Sequence, residues 1–330
     1  MTAVSILMLC LIALLGLVLR WMTRMPGSSH LGALAPLDEN ETRILQGLTG
    51  HVRLLAEEIG PRNYSRPQAL ERAASYISEQ FARAGLTPAA QTYTILDRTY
   101  ANIAAEIPGR TRPKEILVIG AHYDSVTGSP GADDNASGVA VLLELARLLA
   151  VAPLERTVRL VAFTNEEPPF FMTAEQGSRV YAREAKRRGD DIRAMLCLES
   201  LGFFSDEPHS QGYPFPVGLF YPKTADFVAF VGNVQSRGLV IRCLTLFRQA
   251  AAFPSQGASV PGILPGASWS DHRSFWAEGI PALMITDTAF YRNQGYHTRR
   301  DTPDTLDLAR TARITAGLAA VVSGLASESA

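Results

Sequence analysis

The segment from Ile116 to Leu149 constrains this chain most. It reads ILVIGAHYDSVTGSPGADDNASGVAVLLELARLL. Ile116 to Gly120 is apolar and β-rich, so it reads as a buried strand, and Val139 to Leu149 carries Leu and Val at helical spacing. Between them, His122 and the pair Asp133-Asp134 lie in a loop punctuated by glycine. In an α/β protein, the loop at a strand's carboxyl end is where ligands bind. Imidazole and carboxylates gathered there are hard to explain as packing and suit a divalent metal of the zinc class.

Three further apolar runs repeat the arrangement. Thr157 to Thr164 ends in Asn165-Glu166-Glu167-Pro168-Pro169. Ala194 to Leu198 ends in Glu199-Ser200-Leu201-Gly202, and Ile280 to Ile285 leads through a loop to Tyr296-His297-Thr298. Each strand thus delivers an acid or a histidine just beyond its end, and four such deliveries in order indicate one shared site. The competing reading of Glu166-Glu167 is a solvated loop tip. Its position between an apolar strand and Pro-Pro-Phe-Phe argues for the site instead.

HYDS, GADDNASG, NEEPPFF, LESLG, SDHRSFW and YHTRRDTPD, taken in this order, resemble zinc metallopeptidase family twenty-eight over roughly residues 51 to 330. That family includes aminopeptidases of the S and Y types, with glutamate carboxypeptidases and glutaminyl cyclases as relatives. The resemblance implies an α/β fold with a mixed, mostly parallel sheet flanked by helices, of the zinc aminopeptidase (phosphorylase/hydrolase-like) kind. It also implies two co-catalytic zinc ions sharing a carboxylate and a water. Carried over by position, His122 and Glu199 hold one metal, Glu167 and His297 the other, Asp133 bridges them, and Glu166 is the general base. The resemblance further implies a cis peptide between Asp133 and Asp134, an oxyanion-stabilising role for Tyr296, and an acidic residue near the reaction centre at Asp271. A packed core tyrosine and a helix N-cap are the plain alternatives for the last two. Many family members carry aspartate where this chain has Glu199, a departure that bears on metal spacing.

Local chemistry agrees with these assignments. Neighbours on an extended backbone face opposite ways, so Glu166 can face a water while Glu167 faces a metal. Pro168 holds Glu167 in extended geometry. Asp124, two residues after His122, points the same way and can accept the second ring N–H of that histidine; the alternative is a turn-forming Asp before Ser125. Thr302-Pro303-Asp304 reads as a helix start, and His30, His51 and His209 as surface residues. Phe170, Phe171, Phe203, Phe204 and Phe290 are candidates to line an apolar substrate pocket.

Three readings of different class follow. The first is a di-zinc exopeptidase, an aminopeptidase acting on peptide substrates. The second is a glutaminyl cyclase-like acyltransferase with a single zinc, and the third an inactive peptidase-like binding ectodomain. A full set of five ligand positions favours the first. Composition fits: 330 residues at 47% hydrophobic content bury one large core. With 31 basic against 32 acidic residues, no basic stripe suggests nucleic acid. Cys10, Cys197 and Cys243 form no CxxC motif; reduced core thiols are expected at 197 and 243, with a disulfide between them as the alternative. Gln68 to Ala84 reads as an amphipathic helix and Thr305 to Ala326 as a closing one. The sequence assigns no oligomeric state.

Thr2 to Leu19 carries no charge and approaches the ~18–20 residues that span a bilayer. Arg20 and Arg24 follow in place of a small-residue cleavage site, so the reading is a retained single-pass transmembrane helix. Residues 1–24 are then a membrane anchor, 25–50 a tether with Pro26-Gly27-Ser28-Ser29, and 51–330 the catalytic domain. The partners expected are peptides and, through the helix, the lipid bilayer. The catalytic domain is expected outside the cytoplasm, periplasmic or extracellular, although the two arginines oppose that by the positive-inside rule.

Overall fold

A computed structural model describes residues 3–327; Met1, Thr2 and residues 328–330 lie outside the described part. Its eight strands are β1 (Ala89–Ile95), β2 (Arg98–Ile107), β3 (Arg112–His122), β4 (Arg156–Phe163), β5 (Asp191–Glu199), β6 (Val228–Gly232), β7 (Ser255–Ser259) and β8 (Ala282–Thr286). They form one mixed sheet in the order β1-β2-β4-β3-β5-β8-β6-β7. The central strands β4, β3, β5 and β8 run parallel, while β2 and β6 flank them antiparallel. Because β3 sits between β4 and β5, its carboxyl end marks a point where successive connections leave in opposite directions. Open α/β sheets place their ligand crevice there.

The period-two alternation of β3 builds both faces. Leu117, Ile119 and Ala121 face a large core shared with α2 (Glu39–Val52), α3 (Pro67–Arg83), α4 (Gly138–Leu149), α6 (Arg237–Ala250) and α8 (Leu308–Ser327). Ile116 and Val118 face a smaller core closed by α5 (Gly177–Arg188) and α7 (His272–Trp276) through Tyr181, Ala185 and Phe275. Gly120 is required where the layers meet. A Cβ there would lie 2.3 Å from the ring of Phe163, which is packed edge-on against Tyr181. Cys197 and Cys243 are buried free thiols, not a disulfide.

The N-terminal expectations need correction. Among the described residues no helix is long and apolar enough to cross a membrane. The helix α1 (Ala3–Thr23) is formed, with Arg20 in its last turn. The transmembrane helix, the bilayer as partner and the single-pass localisation are therefore not shown. The segment after α1 is held against the rest of the chain. The guanidinium of Arg237 lies 4.7 Å over Trp21 and donates to the Arg24 carbonyl, and Arg248 donates to that of Pro26. Asp38 and Glu41 form a reciprocal capping box that starts α2, whose Ile44, Leu48 and Val52 are fully buried.

His51 also departs from the surface reading. Its Nδ1 lies 2.7 Å from the Tyr76 hydroxyl and its Nε2 3.5 Å from buried Glu144, so it joins α2, α3 and α4. His30 is half-buried, and His209 is exposed as expected. Thr302 to Thr305 is a single tight turn, and α8 starts later, where Asp307 accepts from the Arg310 N–H.

Arg62, which no pattern in the sequence singled out, is fully buried in the loop before α3. Its guanidinium donates to the carbonyls of Leu55, Tyr123, Pro130 and Gly131, and so ties the β3–α4 loop to the N-terminal helices. Burial pulls its pKa down to about 10, opposed by Asp301, Asp124 and Asp134. Arg62→Met should leave these carbonyls unsatisfied and lower unfolding stability by about 3–5 kcal/mol in a denaturant titration. A loss under ~1 kcal/mol would show that the loop holds itself.

Candidate metal centre

His122 closes β3 with 1% of its side chain exposed. Its Nδ1 faces Asp124, 3.2 Å from the backbone carbonyl and 3.5 Å from Oδ1. That fixes the ring so that Nε2 points at two carboxylates, Asp134 Oδ1 and Glu199 Oε2, each 3.2 Å away. The second oxygen of Asp134 lies 3.0 Å from His297 Nε2, which is 3.5 Å from Glu167 Oε2. Two triads, each with one imidazole and two carboxylates, therefore share Asp134. Within each triad the donor atoms lie within 4.8 Å of one another. A tetrahedral zinc with ligands at ~2.0–2.1 Å separates its donors by about 3.3 Å, so the donor set and its spacing fit such ions.

The shared carboxylate is Asp134, where the sequence reading had Asp133. Asp133 is turned away: its Oδ1 accepts from the Gly202 N–H at 2.9 Å and its Oδ2 from Asn293 at 2.8 Å. The cis peptide likewise falls one residue later, between Asp134 and Asn135. The turn is gripped from below by Asp301, whose two oxygens accept from the Asp133 and Asp134 N–H groups at 2.7 and 3.2 Å. Asn135 bridges onward, donating to Leu198 and accepting from the Gly138 and Ser200 N–H groups.

Asp124 does more than orient His122. Its two oxygens accept from the backbone N–H groups of Glu166 and Glu167, both at 3.1 Å. One carboxylate thus sets the β3 histidine and the β4 acid pair together. The Glu166 side chain is buried, and its Oε1 has no hydrogen-bond partner. Burial raises its pKa well above the usual carboxylate range; His122 opposes that, while Glu167, Asp271 and Glu199 add to it. Burial, with Asp134 nearby, pushes Glu167 up to about 7.

Glu199 is held by hydroxyls, with Oε1 accepting from Ser200 at 3.0 Å and Oε2 from Ser270 at 2.6 Å. Asp271 lies at the start of α7 but caps nothing. Its Oδ1 accepts from Gln176 at 3.4 Å and its Oδ2 is buried without a partner; burial pushes the carboxyl up to about 7. Tyr296 stacks on His297 with ring centres 3.9 Å apart, and burial together with Asp134, Glu199 and Glu167 raises its phenol far above normal.

Beside Glu199 and Tyr296 lies an apolar cavity of about 120 Å³, walled by Tyr213, Phe227, Leu264, Trp269, Met284 and Phe290 among others. Of the five phenylalanines expected to line a pocket, Phe290 alone does so. Phe170 instead packs on Tyr64 and Tyr100, and Phe204 on Phe253. The physical reason is side: the cavity opens over β6, β7 and β8, whereas Phe170 follows β4 and packs towards β2. Arg62, Ser270, Asn293 and Asp301 were missed because each acts from a distant element, Ser270 and Asp301 on a ligand residue and Arg62 and Asn293 on the loop that carries Asp134. Asp301 stood inside the YHTRRDTPD string, which was its only signal.

Comparison with known proteins identifies the family. The model of Peptidase family M28 matches residues 102–322. The chain is 42% identical over 281 residues to the uncharacterized protein YfbL of Escherichia coli, covering 81% of this chain and 84% of that one. It is 28% identical to the probable aminopeptidase YDR415C of Saccharomyces cerevisiae over 69% of this chain but only 58% of that one. BSAP, a zinc aminopeptidase from Bacillus subtilis, shares the fold with a TM-score of 0.70 at 16% identity, over 86% of this chain and 95% of that one. With a family match over most of the chain and its acids and histidines gathered at the strand ends, the protein belongs to that peptidase family and is a metallopeptidase of the hydrolase class.

Proposed function

We propose that the chain is a zinc-dependent aminopeptidase that removes N-terminal residues bearing apolar side chains. The observation that carries this reading is Asp134, whose two oxygens each face a different histidine beside the unpartnered carboxylate of Glu166. His122, Asp134 and Glu199 would hold one zinc, and Asp134, Glu167 and His297 a second. When bound, such a pair supplies Lewis acidity to the scissile carbonyl and makes a water acidic near neutrality. A single-ion, cyclase-like centre would leave the Glu167–His297 triad without a purpose.

The chain's own groups do the rest. Glu166 takes the proton of the attacking water and returns it to the leaving amine; its carboxyl, raised by burial well above the usual carboxylate range, holds that proton between the two steps. Asp124 positions Glu166 by its backbone and fixes the His122 tautomer. Tyr296, raised far above normal, stays protonated and donates to the developing oxyanion. The cavity beside Glu199 and Tyr296 takes one apolar side chain, which supports single-residue release.

Glu166→Gln should keep both metal equivalents and lose at least ~10²-fold in turnover, because positioned base catalysis contributes ~10²–10⁴-fold. Loss of metal by elemental analysis would instead make Glu166 a ligand. The two aspartates separate in the same assay: Asp134→Asn should cost both metal equivalents, whereas Asp133→Asn should retain metal and lose stability, since Asp133 pairs with Gly202 and Asn293. The opposite pattern would return the bridge to Asp133.

A pH dependence follows as well. Burial places Glu167 and Asp271 at about 7 and Asp301 at about 8, all above the unfolded ~4. His297, raised to about 10 by Asp134 and Glu167 against burial, acts in the same sense. The folded metal-free chain therefore holds protons that the unfolded chain releases. The stability these groups contribute should be greatest near pH 4 and fall as pH rises from about 4 to 8 with ionisation of the carboxyls, and on to about 10 through His297. Zinc should remove most of that fall in thermal unfolding of chelator-treated against zinc-loaded protein. Parallel curves would rule out zinc binding by these groups.

A further inference from the structure

Beyond the loop that follows Glu167 lies a second concavity, a cleft of about 220 Å³ lined by Arg179, Arg183 and Arg273 with Thr173, Gln176 and Ser274. No carboxylate lines it. Arg179 reaches Glu278 at 3.1 Å, and Lys186 shares that acid at 3.2 Å. Arg183, one helical turn beyond Arg179 on α5, and Arg273 on α7 are exposed, and among the described residues their side chains make no hydrogen bond or ion pair. The acids nearby are engaged elsewhere: Glu184 with Arg187 and Arg188, Asp190 with Arg159 and Arg188. Glu175 is exposed on the lining loop.

The cleft sits at the carboxyl edge of the sheet, as the metal centre does, because α5 starts where the Gly177 N–H meets the Thr164 carbonyl just past β4. Gln176, on its wall, donates to Asp271 Oδ1 and accepts from the Met172 N–H, so it separates cleft from centre. Like charges left unpaired in one concavity are relieved by an anion, and guanidinium forks match carboxylate and phosphate oxygens two at a time.

We propose that this cleft is an oxyanion site, in which Arg183 and Arg273 grip a carboxylate or a phosphate between α5 and α7. Two sources carry that chemistry: the C-terminal carboxylate of a short peptide whose other end lies in the metal centre, and a free phosphate ion. Binding as such does not depend on the peptidase reading, so it is tested without turnover. Calorimetric titration of the zinc-loaded full chain with inorganic phosphate should show saturable binding that weakens at least tenfold in Arg183→Ala/Arg273→Ala and weakens with added salt. Both side chains are exposed, so the variant should keep its fold; its unchanged melting temperature is the check. Phosphate heat that is absent in the native chain, or equal in the double variant, overturns the proposal, the latter by sending phosphate elsewhere, such as the metal centre. A tripeptide and its C-terminal amide then separate the sources. A KM raised several-fold for the free acid alone, with kcat unchanged, identifies the peptide carboxylate. Equal KM for both, with phosphate binding lost, identifies the free ion.

Discussion

Everything at the carboxyl edge of this sheet is arranged around one electrostatic problem, the burial of many carboxylates close together. Asp124, Asp133, Asp134, Glu166, Glu167, Glu199, Asp271, Asp287 and Asp301 are all buried. At an effective dielectric constant near 20, two ionised neighbours 4 Å apart repel by ~4 kcal/mol. The chain meets this with oriented donors. Asp124, Asp133, Asp287 and Asp301 each accept from backbone N–H groups, and Arg62 adds a positive charge underneath. Among the carboxylates these donors leave over are Asp134, Glu167 and Glu199, which with His122 and His297 form the set whose negative charge two dications would neutralise under the proposed function.

The same donors give the site its rigidity. Asp124 couples β3 to the β4 loop, Asp301 couples the C-terminal loop to the aspartate turn, and Asn135 couples that turn to the end of β5. A displacement of one ligand is therefore resisted by contacts on at least one other strand. Glu199 shows how a longer side chain is accommodated where many family members carry aspartate. Ser200 and Ser270 hold its two oxygens and keep one of them 3.2 Å from His122 Nε2.

Asymmetry across the centre separates its two neighbours. The β6–β8 side is apolar and concave, and it touches Glu199 and Tyr296 directly. The α5–α7 side is cationic and lies beyond Gln176 and Asp271. A short peptide held at both ends would use the first by burial of apolar area and the second by charge.

The sequence by itself determined the central strands, the helices α3, α4 and α8 to within a few residues, and the four strand ends that carry acids and histidines. These are local properties: apolar periodicity writes the elements, and chain direction puts the next residue at the edge. It could not determine which of two adjacent aspartates faces the histidines. Asp133 and Asp134 have the same chemistry, and the choice is made by Asp301, Asn293 and Gly202, more than 60 residues away in the chain. The cavity wall and Arg62 were hidden for the same reason, being assembled from elements distant in sequence. The N-terminal run shows the converse. Its apolar composition was plain, but among the described residues no helix is long and apolar enough to cross a membrane, and contacts with Arg237 and Arg248 bind the segment after it to the folded domain. Side-chain identity is written locally; which way a side chain faces is decided by partners that only the folded chain brings near.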